Sequence, residues 1–239
     1  MGSQRPRLDR DMAKKPSHVM KMPSVILASS SPRRAELLRQ LALEFKVVPS
    51  TATEIHHEQL TAREIAQVNA YRKARPVAKK YPDSLVLGAD TLVHTESVMF
   101  GKPRSLEEAY EMLETLQGRT HEVVTAVCLL NLRNHRQQTF TESTYVTFRK
   151  LDAVEIRRYL AKVNPLDKAG GYAIQEQGDL LVDRIAGSYT NVVGLPLEKL
   201  RTELASFPGI SESMLALAPL SATGFGSRAG GSQSAQFLP

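Results

Sequence analysis

Short apolar runs alternate along the chain with segments whose apolar residues recur at helical spacing, a pattern that predicts a mixed α/β protein. Val25 to Ala28 reads as a buried strand; three serines follow, and Pro32 opens a helix with Ala35, Leu37, Leu38 and Leu41 on one face. Phe45 to Val48 is a second strand, and Pro49 to Gln59 is a polar connection carrying Glu54, His56, His57 and Glu58. Thr61 to Lys80 predicts a helix opened by a Thr61/Glu64 capping box, with Pro76 kinking it or ending its regular part. Leu85 to Leu87 form a strand that runs into Gly88-Ala89-Asp90-Thr91 and on to Leu92 and Val93. A hairpin through Ser97 and Met99 then reaches Gly101-Lys102-Pro103.

Ser105 starts a helix to about Leu116, closed by Gly118. Arg119–Leu132 and Gln137–Phe148 are rich in β-branched residues and predict an antiparallel hairpin in the middle of the sheet. Asp152 caps a helix to Val163, and a polar loop from Asn164 to Gln175 holds two adjacent glycines. Leu180 to Ile185 is the last strand, Gly187-Ser188-Tyr189 a turn, and Asn191 to Gly194 lead to a final helix opened by Pro196. This periodicity is absent at both ends. The reading is a disordered basic tail over 1–23, one folded domain over 24–207, and a flexible Ser/Gly/Ala-rich tail over 208–239.

Composition narrows the classes. With 239 residues, 42% of them hydrophobic, the chain can bury a sizeable core, and no apolar run approaches a membrane span. The first residues lack the apolar core of a signal peptide, and Cys128 is the single cysteine, which points to a reducing, cytoplasmic setting without a disulfide framework. Net charge is +6, but six basic residues against two acidic ones precede Met22, so most of the excess lies in the amino-terminal tail. Aromatics make up only 6% and there is no Trp, so base-stacking platforms are scarce and a nucleic-acid surface on the domain is disfavoured.

Two stretches carry chemistry. Strand, serine-rich turn and helix start at Ser29 to Arg34 form a place for an anion, where backbone N–H groups and two guanidinium forks converge; the alternative is that Arg33 and Arg34 point into solvent. Asp90 lies between apolar runs, where a carboxylate is costly unless paired, hydrogen-bonded or metal-bound; the alternative is a turn aspartate satisfied by its own loop. His56 and His57 are neighbours, and neighbours rarely aim at one ion. No G-x-x-x-x-G-K-S/T and no G-x-G-x-x-G occurs, which argues against common P-loop and dinucleotide readings.

Four pieces, L-A-S-S-S-P-R-R at 27–34, G-A-D-T at 88–91, G-K-P at 101–103 and D-K-A-G-G-Y-A-I-Q at 167–175, together resemble the Maf family of nucleoside triphosphate pyrophosphatases. N-V-V-G-L-P at 191–196 extends the likeness. The resemblance implies an elongated twisted mixed sheet with a central cleft, related to the inosine triphosphatase-like enzymes. It also implies hydrolysis of a nucleoside triphosphate to monophosphate and pyrophosphate with a divalent metal, Mg²⁺ or Mn²⁺. Asp90 matches the family's proton acceptor; Arg33, Thr91 and Gln175 match positions linked to base selection; Ser29, Arg34, Glu54, Lys73 and Lys102 match the remaining cleft residues. G-A-D-T followed by A-I-Q resembles the branch acting on dTTP and UTP. Departures are Gly171-Tyr172-Ala173, where many members have A-Y-G, and Thr53 beside Glu54, where paired acids are common.

The chemistry expected is in-line attack of a water on the α-phosphorus, activated by Asp90, with Lys73, Lys102 and the arginines neutralising charge and a metal on Asp90 and Glu54. A competing reading makes the cleft a nucleotide-sensing module tied to septum formation. A homodimer is left open.

Overall fold

The computed structural model describes residues 23–215. Seven strands, β1 (Val25–Leu27), β2 (Phe45–Val47), β3 (Leu85–His94), β4 (Met99–Phe100), β5 (Thr120–Asn131), β6 (Arg136–Phe148) and β7 (Val182–Ala186), form one mixed sheet in the order β2-β1-β3-β5-β6-β7, with β4 paired to β3. β2, β1 and the start of β3 run parallel, and every other pairing is antiparallel. The 119–148 hairpin is as the sequence predicts, and the β3·β5 and β5·β6 ladders form the body of the sheet. Among the described residues no helix is long and apolar enough to cross a membrane.

Both faces are covered, which explains why the central strands read as continuous apolar runs. Helix α2 (Ala62–Lys80) packs on one face, over Ile26, Val86, Val124, Ala126, Cys128 and Leu130. Burial pushes the Cys128 thiol up to about 11, as suits a core residue. On the other face lie α1 (Pro32–Arg39), α3 (Leu106–Leu116), α4 (Ala153–Leu160) and α6 (Leu197–Ala205), over Leu27, Leu87, Ala89, Val123 and Val127. The caps read from sequence are made: Thr61 and Glu64 bond reciprocally, Ser105 accepts from Glu108 N, and Asp152 closes a capping box with Glu155.

Helix α2 approaches the sheet closely because its inner face is mostly alanine and because β3 offers Gly88 beneath it. A Cβ on Gly88 would lie 2.3 Å from the Ala70 carbonyl oxygen and 2.8 Å from the Ala74 nitrogen.

Four features differ from the sequence reading or decide between its alternatives. Gly88-Ala89-Asp90-Thr91 sit inside the ten-residue β3, so Asp90 is a strand residue and not a turn aspartate. Helix α2 continues through Pro76 to Lys80; the lost hydrogen bond would have gone to the carbonyl of exposed Arg72, while Ala74, Val77 and Ala78 stay buried. Ser188 caps a short helix α5 (Tyr189–Val193) where only a turn was read. Packing also extends past Phe207, with Ile210 and Leu215 in the core; the tails at 1–22 and 216–239 lie outside the described residues.

His121 is buried at the start of β5, in edge contact with Phe148 and Tyr172, and its Nε2 shares a 2.8 Å hydrogen bond with the Tyr172 hydroxyl. Burial, with a smaller push from His94, lowers it from 6.5 to about 4. Above pH 6.5 the ring is neutral in both folded and unfolded chains. Between 6.5 and 4 only the unfolded chain takes up the proton, so stability falls as the pH drops.

Two predictions follow from this packing. Gly88→Ala destabilises the fold by roughly 2 kcal/mol or more, read by thermal or denaturant unfolding, because backbone must move to admit the methyl group. Unfolding free energies measured between pH 6.5 and 4 show a His121-dependent loss of about 3 kcal/mol. His121→Phe flattens that slope; an unchanged slope contradicts this account of the buried ring.

Candidate active site

Strand β3 is paired along one edge by β5 from Val86 to His94. Along the other edge β1 accompanies it only from Leu85 to Leu87, and β4 joins only at Val93. After Leu27 the chain leaves the sheet through Ser29–Ser31 into α1. The edge of β3 is therefore open from Gly88 to Leu92, at the carboxyl end of a parallel strand, where open α/β sheets commonly bind ligands. Side chains alternate along a strand, so Asp90 points to the α2 face and Thr91 to the opposite one. The gap brings both into a single cleft of about 470 Å³.

The acidic half is built on α2. Asn69 and Lys73 lie one turn apart on its inner face. Lys73 Nζ donates to Asp90 Oδ1 at 2.5 Å and to Glu54 Oε1 at 2.7 Å, while Asn69 Nδ2 donates to Asp90 Oδ2 at 3.1 Å. Asn69 also brackets Ile55, accepting from its N–H at 2.8 Å and donating to its carbonyl at 3.2 Å, and so pins the connection that carries Glu54. Lys102, on the Gly101–Pro103 loop, reaches Glu54 Oε1 at 3.3 Å. Burial alone would raise the Glu54 carboxyl, but the ammonium groups of Lys73 and Lys102 outweigh it and hold it at about 2. Asp90 is 3% exposed and has both oxygens engaged, so the cost of burying it is met.

The basic half comes from the start of α1. Ser31 occupies the N-cap without a side-chain cap bond; its N–H donates instead to Ser29 Oγ at 3.2 Å. Arg34 turns inward: Nε donates to the Gly194 carbonyl at 2.9 Å, Nη2 to Thr91 Oγ1 at 3.0 Å and Nη1 to Ser29 Oγ at 3.5 Å. Burial lowers its pKa from the ordinary arginine value, while Asp90 and Glu54 pull it back up. Arg33 crosses to the 164–175 loop, where Nη1 donates to Asp167 Oδ2 at 2.7 Å and Nη2 to the Asp167 carbonyl at 3.2 Å. Neither arginine simply points into solvent.

The loop is tied down from several sides. Lys168, 5% exposed, donates to the Asn164 carbonyl at 2.6 Å and to Asp167 Oδ1 at 2.8 Å. Gly170 N–H donates to the Gly101 carbonyl at 3.0 Å, joining this loop to the one bearing Lys102. Tyr159 from α4 accepts from Ala173 N–H at 2.9 Å. Gly171 has φ +72°, which a side chain adopts only with strain, so glycine relieves the backbone where the resemblance sets alanine. Gln175 is exposed at the rim of the cleft.

Ser29, Arg33, Arg34, Glu54, Lys73, Asp90, Thr91, Lys102 and Gln175 all line this cleft. Sequence reasoning missed Asn69 and Lys168. Asn69 left a signal, a polar residue between Ala66 and Ala70 on a buried stripe, four positions before Lys73. Lys168 left only its place inside D-K-A-G-G.

The donor set also bears on a metal. Among the described residues no group of three or more His, Cys, Asp or Glu gathers as an ion cage, and His56 lines the cleft without such partners. Glu54 and Asp90, sharing one ammonium, offer two carboxylates. Carboxylate oxygens are the ligand type that hard cations such as Mg²⁺ or Mn²⁺ take, and two of them fit such an ion only with phosphate oxygens and water to complete its shell.

A family model described as "Maf-like protein" matches residues 24–207. A dTTP/UTP pyrophosphatase of Acetivibrio thermocellus is 44% identical over 197 residues, covering 80% of this chain and 98% of that protein. One from Bacillus cereus (strain B4264) is 45% identical over 186 residues, 78% of this chain and 96% of its own. Among solved structures, the Staphylococcus aureus Ham1 protein aligns over 52% of this chain and 71% of its own with TM-score 0.38 and 15% identity. With the family model spanning the whole of the cleft and relatives aligned over nearly their full length, the chain belongs to the Maf family.

Proposed function

We propose that this chain hydrolyses dTTP and UTP to the nucleoside monophosphate and pyrophosphate, in the cytoplasm. Its relatives carry the name dTTP/UTP pyrophosphatase. The observation that carries the reading is Lys73 holding Asp90 and Glu54 together across a cleft from Arg34. A cavity with cations on one wall and a fixed carboxylate pair on the other suits a polyphosphate attacked by water.

The triphosphate lies between the walls. Arg34 spends one N–H of each nitrogen on protein acceptors, which leaves one on each terminal nitrogen for phosphate oxygens. Half-exposed Lys102 adds a mobile positive charge. Asp90 accepts one hydrogen bond on each oxygen and so keeps a free lone pair on each. One of these takes the proton of a water whose oxygen attacks the α-phosphorus; the bond from that phosphorus to the α,β-bridging oxygen breaks, and pyrophosphate leaves with that oxygen. A divalent metal held by Asp90 and Glu54 would supply charge neutralisation on the phosphate oxygens. Lys73 keeps the two carboxylates oriented. Gln175, which lines the cleft, has a donor and an acceptor for a pyrimidine edge and takes the base in this reading.

The test is a panel of nucleoside triphosphates assayed for pyrophosphate with Mg²⁺ or Mn²⁺ and after chelation. dTTP and UTP are cleaved ahead of purine nucleotides, chelation abolishes turnover, and in ¹⁸O-water the label enters the monophosphate. Asp90→Asn lowers kcat by about 10²–10⁴ with nucleotide binding retained. Near-wild-type turnover removes Asp90 from the proton-accepting role, and binding without any turnover in the wild type favours the nucleotide-sensing alternative.

A further inference from the structure

The buried face of α2 is apolar at Ile65, Ala66, Ala70, Ala74 and Val77, yet Asn69 lies among them with 1% of its surface exposed. An apolar residue such as leucine suits a helix better there, and an amide is costly unless its polar atoms are paired. Asn69 pairs all of them. Oδ1 accepts from the Ile55 N–H at 2.8 Å, and Nδ2 gives one proton to the Ile55 carbonyl at 3.2 Å and the other to Asp90 Oδ2 at 3.1 Å. The amide therefore has one orientation: turned over, its oxygen would face a carbonyl and a carboxylate, and its NH₂ group an N–H donor.

The two bonds to Ile55 anchor the amide, and the segment they hold is itself tied to α2. Arg72, three residues along the same helix, donates Nε to the Thr53 carbonyl at 3.2 Å. With both Ile55 bonds in place, the remaining N–H of Asn69 is aimed at Asp90. That bond adds what one cation does not supply. Lys73 grips Oδ1 from the end of a flexible stem, and a carboxylate held at one oxygen still swings about that contact. Asn69 takes the other oxygen from a short side chain fixed at three points, so the carboxylate plane is set and the lone pair left on each oxygen keeps its direction. Asn69 lies behind Asp90 and is not among the residues lining the cleft, so a nucleotide held there does not touch it.

We infer that Asn69 is a positioning residue for turnover, which sets the direction in which Asp90 takes the proton of the attacking water and contributes nothing to nucleotide binding. The inference rests on the hydrolase reading in taking Asp90 as the proton acceptor. Steady-state kinetics of pyrophosphate release from dTTP test it. Asn69→Leu lowers kcat about tenfold or more with KM held within about twofold, because alignment at the reacting water is lost while the phosphate contacts remain. Asn69→Asp, which keeps the size but has no N–H to give, loses at least as much. A role in packing alone would not move the last readout: in an Asp90→Asn background, Asn69→Leu costs less than about twofold further, since the group it aims is no longer the acceptor. Should Asn69→Leu fail to fold, Asn69→Ser, too short to reach both partners, carries the same comparison.

Wild-type kcat in Asn69→Leu overturns the inference. So does a loss carried by KM alone, or a loss of kcat that multiplies in full with that of Asp90→Asn. Each of these leaves cleavage of dTTP by the wild type, and with it the hydrolase reading, in place. A wild type that releases no pyrophosphate overturns the hydrolase reading and this inference with it.

Discussion

The arrangement of the cleft depends on one ammonium group. Lys73 sits between Asp90 and Glu54, and without it two carboxylates would face each other in a half-buried space. Its position is set by the backbone: α2 can bring Lys73 and Asn69 down onto Asp90 only because alanines line its inner face and Gly88 leaves room beneath them. A glycine in β3 thus acts on chemistry two residues away through the distance between a helix and a sheet. The 50s connection is drawn into the same assembly by Asn69, which holds the Ile55 backbone at both its polar groups and so places Glu54.

A second constraint is topological. β1 leaves β3 after Leu87 and β4 arrives only at Val93, so the intervening residues of β3 present both faces to one cavity. Without that gap Asp90 and Thr91 would be separated by the sheet itself. The division of labour follows from strand alternation: the carboxylate side belongs to α2, the guanidinium side to α1 and α5. Arg33 and Lys168, through Asp167, then fasten the 164–175 loop across the mouth, and the buried phenol of Tyr159 fixes it from behind.

What the sequence shows and what it hides divide along the range of the interactions involved. Capping boxes at Thr61 and Asp152, the cap at Ser105 and the long hairpin are local, and each is read from residues a few positions apart. The strand through Gly88-Ala89-Asp90-Thr91 resembles a turn locally because its special residues answer to α2 and α1, not to their neighbours in sequence. Helix α5 escaped notice for a similar reason: five residues carry little periodicity, and its meaning lies in Asn191 reaching β5 and β6. Seven of the nine cleft residues lie in the quoted motifs, and Glu54 and Lys73 came with the family resemblance, yet neither gave a sign that Arg33 pairs with Asp167 or that the Thr91 hydroxyl meets Thr125 and Arg34. Those facts belong to three-dimensional proximity alone.

The claim at the centre is that Lys73 and Asp90 act as a single unit in turnover. A double-mutant cycle on kcat/KM for dTTP with Lys73→Met, Asp90→Asn and the pair measures it directly. Residues acting together give a double variant about as impaired as the worse single one, a coupling well above ~1 kcal/mol. Losses that simply multiply would show two independent residues and contradict the account.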